Sequence, residues 1–121
     1  MVTFGIGMIG YGMIGRVHTL GYRALPIMYP HQLPSIHLAA VCTSREETAR
    51  APATDAGFAR WYTDAAGLLE QPDVGVVDCV APNDLHRPMV LAAIAAGKHV
   101  YCEKPLALNG AEGRQMVAAA A

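Results

Sequence analysis

The sequence predicts an α/β fold, a doubly wound parallel sheet with helices on both faces, and three observations point to it. Short apolar or β-branched segments alternate with segments of helical spacing along the chain. The composition is 53% hydrophobic and 16% charged, which suits strands covered on both sides. The first apolar segment runs into a glycine cluster and then a helical pattern, the order that opens a strand–turn–helix unit. At 121 residues there is length for one core, so residues 1–121 read as a single three-layer domain.

Residues 3–9 form a first buried strand ending in the glycine cluster. Met13, Ile14, Val17 and Leu20 then recur near helical spacing, predicting a helix from residue 13 to about 25 that Pro26 stops. Pro26, Pro30 and Pro34 mark a long connector before a second strand at residues 37–42. Ser44 is placed to cap a helix through Arg50, with Glu46 and Glu47 in its first turn, where the helix dipole favours acids. Residues 52–57 end or interrupt that helix. Residues 58–62 read as a short third strand, followed by a helix capped by Thr63 or Asp64 and closed at Gln71-Pro72. The β-branched run at 74–80 predicts a fourth, central strand. Asn83 or Asp84 opens the next helix, which tolerates Pro88 in its first turns and ends at Gly97. Residues 98–102 make a fifth strand, and a last helix starts at Asn109 with Glu112 as its capping-box partner.

Several function classes are excluded or disfavoured. Net charge is −1 with scattered Lys and Arg, so no basic stripe tracks a nucleic-acid backbone. No apolar run reaches the roughly 20 residues of a membrane span, and the glycines of the first 15 residues are unlike a signal helix. Cys42, Cys79 and Cys102 are odd in number and form no CxxC pair, which indicates neither disulfides nor a metal site and fits a reducing cytoplasm.

Two overlapping GxGxxG matches occur, Gly5, Gly7, Gly10 and Gly10, Gly12, Gly15. The first lies inside the strand. The second, Gly10-Tyr11-Gly12-Met13-Ile14-Gly15, follows a strand and opens a helix, as a dinucleotide-binding turn requires. There Gly10 makes the tight turn, Gly12 lets the backbone approach a pyrophosphate, and Gly15 lets helix and strand pack closely. An S-adenosylmethionine-binding domain also uses such a turn. The end of the second strand bears on cofactor type, because an acid there would bind the adenosine ribose 2′-hydroxyl of NAD. No Asp or Glu occurs before Glu46, and Thr43-Ser44-Arg45 stands in that place with two hydroxyls and a guanidinium suited to a 2′-phosphate. The expectation is NADP over NAD.

Two later segments are more specific: Ala81-Pro82-Asn83-Asp84-Leu85-His86 after the fourth strand, and Glu103-Lys104-Pro105 after the fifth. With residues 10–18 they resemble the Gfo/Idh/MocA oxidoreductases over essentially the whole chain. The resemblance implies a Rossmann-type nucleotide-binding domain in which Ala81, Pro82 and Asn83 lie along the nicotinamide side, His86 sits nearby and Glu103 meets the nicotinamide ribose. Lys104 would then be catalytic, assisting proton transfer at the substrate oxygen or organising the site electrostatically. Ala81 stands where the family often has Thr. The family continues into a second α/β domain that supplies substrate contacts and an oligomer interface, so a small hydroxy or carbonyl substrate and a homo-oligomer are implied for the whole enzyme. The alternative is a non-catalytic dinucleotide-binding module. His18 reads as a packed helix histidine, and Asp78, a charge in an apolar strand, needs a partner near the strand end.

Overall fold

The computed structural model describes residues 3–121. In chain order they form β1 (Thr3–Ile9), α1 (Met13–Met28), β2 (Ser35–Cys42), α2 (Glu46–Ala56), β3 (Arg60–Tyr62), α3 (Ala65–Leu69), β4 (Val76–Cys79), a 3-10 turn at Asn83–Leu85, α4 (His86–Ala95), β5 (His99–Cys102) and α5 (Gly110–Ala120). The strands pair in parallel in the order β3-β2-β1-β4-β5. From β1 the chain moves to one side for β2 and β3 and to the other for β4 and β5. The point where the direction reverses lies between the carboxyl ends of β1 and β4, the usual crevice for ligands in such sheets.

The two faces bury separate apolar clusters. Ile6, Met8, Leu38, Val41 and Phe58 pack with Tyr22 of α1 and Ala53 and Ala56 of α2. Ile9, Ala39, Ala40, Val77 and Cys79 pack on the other face with Leu68 of α3, Val90 of α4 and Met116 of α5. Each fully buried aliphatic side chain stabilises the fold by about 1.5–3 kcal/mol. Leu38 and Val41 share a face although they are three residues apart, because the β1–β2 register shifts between Ile6 and Gly7 and leaves Ala39 as the extra residue. Glycines 5 and 7 serve this packing. A Cβ on Gly5 would lie 1.7 Å from the Asp73 carbonyl oxygen, and one on Gly7 2.7 Å from Leu68, so the first GxGxxG match belongs to the strand.

The structure corrects several expected boundaries. Pro26 does not stop α1, which continues to Met28 with the Tyr29 amide bonded to the Leu25 carbonyl. Only one amide is lost, in the exposed last turn, and the connector shrinks to residues 29–34. Pro52 lies inside α2, buried one turn from Ala49, and the helix continues through it to Ala56. Ser44 does not cap α2: Arg45 holds that position without a side-chain bond, while the Thr43 hydroxyl reaches the Arg45 carbonyl. The centre of the sheet is β1 rather than β4. Asp64 caps α3 through the Ala66 amide, and Asn109 caps α5 through the Glu112 amide. Gly97 has φ of 76°, the left-handed conformation of a helix end. Among the described residues no helix is long and apolar enough to cross a membrane.

Candidate functional site

The glycine turn occupies the reversal point. Gly10 has φ of 92°, and a Cβ there would lie 2.8 Å from both the Ala81 nitrogen and the Val80 carbonyl carbon, so the turn after β1 presses against the turn after β4. Its amide bonds the Cys42 carbonyl at 2.8 Å, tying in the end of β2 as well. Gly15 is buried, with a Cβ position 3.4 Å from Met8 Sδ and from the Gly10 carbonyl oxygen. Gly12 differs: it begins α1 with no side-chain cap, and a Cβ there would meet nothing within 4 Å. The helix closes its first bond from the Arg16 amide to the Gly12 carbonyl. The amides of Met13, Ile14 and Gly15 therefore precede the helical ladder, and no acid occupies the first turn. A helix start with donors, positive dipole and open space at its glycine is the chemistry a pyrophosphate needs.

A groove of about 580 Å³ extends from this turn across the strand ends, and it brings together Gly10, Thr43, Ser44, Arg45, Ala81 and Pro82 with Tyr11, Thr48, Asp64, Leu85 and Met89. Thr43 is half-buried and Ser44 exposed. The Arg45 guanidinium is exposed and lies 3.3 Å from Glu47, a contact that water screens and an anion can displace. Burial pushes the Cys42 thiol up to about 11, so it stays protonated beneath the groove.

Other expected site residues lie beyond this groove. Asn83 is exposed in the 3-10 turn. His86 is 1% exposed, with Nδ1 2.8 Å from the Pro105 carbonyl and Nε2 2.9 Å from the Ala81 carbonyl. It clamps the loop after β4 to the loop after β5 from behind. The loop after β5 begins with the Glu103 amide bonded to the Cys79 carbonyl at 3.0 Å. Glu103 Oε1 accepts from the Lys104 amide at 2.9 Å, and the Lys104 side chain is exposed.

What the sequence left open is the partner of Asp78, and the structure shows a polar network there. Asp78 is completely buried and faces α1, where it accepts from Tyr22 at 2.6 Å and from His18 Nδ1 at 2.8 Å. Burial, then the bond to Asp78, raises the Tyr22 hydroxyl well above its usual range, so it remains the donor. His18 Nε2 lies 3.3 Å from Glu103 Oε2, and Tyr101 stacks on the ring at 5.2 Å between centroids. His18 is thus more than a packed helix histidine. The findable signal was a lone acid in an apolar strand, which must have a donor in the helix above it.

Cys79 and Cys102 pair in register, and their sulfurs lie within 4.8 Å of each other and of a His86 nitrogen. Burial raises both thiols, Cys102 to about 12, and both His86 nitrogens face carbonyls. The trio packs the loops together.

Comparison with known proteins agrees with this geometry. The chain is 37% identical over 117 residues to levoglucosan dehydrogenase from Pseudarthrobacter phenanthrenivorans, covering 96% of this chain and 30% of that one. It is 42% identical over 115 residues to 1,5-anhydro-D-fructose reductase from Ensifer adhaerens, covering 94% and 32%. A solved levoglucosan dehydrogenase in complex with NADH and L-sorbose superposes with a TM-score of 0.95 at 35% identity, covering 99% of this chain and 32% of that structure. The chain spans about a third of the length of these relatives. With residues 4–121 matching the oxidoreductase family of NAD-binding Rossmann fold, the chain belongs to the Gfo/Idh/MocA family, as its nucleotide-binding part.

Proposed function

We propose that the groove holds a nicotinamide dinucleotide for an oxidoreductase acting on a sugar, polyol or related hydroxy or carbonyl compound. The observation that carries this is the open space at Gly12 beside the uncapped start of α1, at the reversal point of the sheet. Gly10, Gly12, Met13, Ile14 and Gly15 hold the pyrophosphate through backbone groups. Ala81, Pro82 and Asn83 line the nicotinamide side, with His86 supporting them from beneath, and Glu103 takes the nicotinamide ribose. The cofactor supplies the carbon that gives or accepts hydride. Lys104, exposed just after Glu103, serves a substrate oxygen as proton donor or acceptor and places a positive charge there. The relatives' names support the sugar class, and three free cysteines fit a reducing compartment.

The preferred cofactor in this reading is NADP, although the superposed relative carries NADH. The support is local: Thr43, Ser44 and Arg45 edge the groove at the end of β2, and no acid stands there before Glu46. Fluorescence titration of both reduced cofactors tests it, with NADPH expected to bind more tightly. Arg45→Ala should weaken NADPH selectively, by about 1.5–3 kcal/mol or roughly ten- to a hundredfold. Tighter NADH binding by the unaltered chain, or an equal loss for both cofactors in the variant, overturns the preference.

A further inference from the structure

We propose that His18 is a positioning residue whose charged ring holds Glu103 in place for the nicotinamide-side ribose as an ion pair across Nε2, making cofactor affinity depend on the charge of this ring. The inference rests on the dinucleotide-binding reading above. Asp78 is buried between α1 and β4 and accepts from two donors, the Tyr22 hydroxyl and His18 Nδ1. An ionised carboxylate only accepts, so Nδ1 keeps its proton at 2.8 Å from Asp78. The other nitrogen faces Glu103 Oε2 at 3.3 Å. A doubly protonated ring donates to Asp78 and sets its positive charge at ion-pair distance from Glu103. A neutral ring, its one proton committed to Asp78, sets a lone pair against a carboxylate oxygen.

Among the described residues no second side-chain donor holds that oxygen, and Glu103 Oε1 accepts from the neighbouring Lys104 amide. Loss of the Nε2 proton therefore frees Glu103 to turn away, and any ligand that needs it must order it again. The groups facing His18 are Tyr22 on its own helix, Asp78 on β4, Tyr101 stacked from β5, and Glu103 after β5. Tyr101 stacks on one face of the ring, and the His18 side chain is 14% exposed. The buried acid orients the ring, and the ring orients the acid that the cofactor meets. His18 acts through Glu103 and touches no reacting atom.

The test is the pH dependence of NADH binding by this chain, followed by fluorescence between about pH 5.5 and about pH 9, where a histidine changes charge. Affinity should be highest with the ring charged and fall about five- to tenfold as pH rises, the scale of one charge-assisted bond. His18→Gln, which keeps a donor but cannot titrate, should flatten this profile while circular dichroism remains that of the parent. A readout that needs no variant is calorimetry in two buffers of different ionisation enthalpy, which should show proton uptake on NADH binding within the transition. Ring ¹⁵N shifts of His18 in the same chain assign the titration. A pH profile unchanged by His18→Gln, or binding without proton uptake while His18 titrates, overturns the proposal. Failure of the folded parent to bind NADH or NADPH at any pH would instead sink the dinucleotide-binding reading, so the two failures are distinct.

Discussion

Gly12→Val loses dinucleotide binding and keeps its fold. The backbone of Gly12 has φ of −89° and ψ of −153°, an extended conformation open to valine, and a Cβ there meets nothing within 4 Å. The free protein therefore has no steric reason to reject the side chain. The same open space is where the proposed pyrophosphate meets the first-turn amides, so the isopropyl group and the ligand compete for it. Affinity for NADH and NADPH should fall by about a hundredfold or more, which is about 2.7 kcal/mol. The melting temperature should stay within a few degrees of the parent. Gly10→Val is the contrasting variant. With φ of 92° and contacts of 2.8 Å to the loop after β4, it must distort both turns, and a melting point about 10 °C or more lower is expected. Circular dichroism melts with parallel titrations decide both, and unimpaired binding by Gly12→Val would move the phosphate turn elsewhere.

The second large effect is expected for turnover. The 121-residue chain by itself should bind cofactor and reduce or oxidise nothing. Its strand ends provide the glycine turn, Glu103 and Lys104, but the Lys104 side chain stands exposed with no opposing wall among the described residues. Hydride transfer needs a substrate held in a near-attack pose with water excluded, and a missing wall removes several kcal/mol of that advantage. Chain extending over about a third of its relatives supports the same expectation. Nicotinamide absorbance with a panel of sugars, polyols and their oxidised forms, on material of confirmed intact mass, is the measurement. Sustained turnover by that species would require a complete active site within these residues or across a self-assembled oligomer. Exposed Met13, Val17, Leu20, Tyr101 and Leu108 make sedimentation a necessary companion to that assay.

Much of the fold and the glycine turn between β1 and α1 was legible in the chain alone, because these depend on local rules. β-branched runs, glycine spacing and capping residues act within a few positions, and β1, the Asp64 and Asn109 caps and the left-handed Gly97 follow from them. The choice between two overlapping glycine motifs was also local, since only one follows a strand and opens a helix. Recognition of the Pro-Asn and Glu-Lys-Pro segments added the family.

Tertiary structure decided what local rules cannot see. Pro52 lies inside α2 as a buried residue, and propensity, which places proline at helix ends, does not contain burial. Whether His86 faces solvent or lies beneath the loops depended on the approach of two loops separated by about twenty residues, and both of its nitrogens turned inward to carbonyls. The Asp78–His18–Glu103 relay joins three elements across as many as 85 residues of sequence, for 103 less 18. The sequence determined that a buried acid needs donors. Only the packing of α1 over β4 and the end of β5 chose which donors they are, because hydrogen-bond partners are selected by distance in space and the chain records only order.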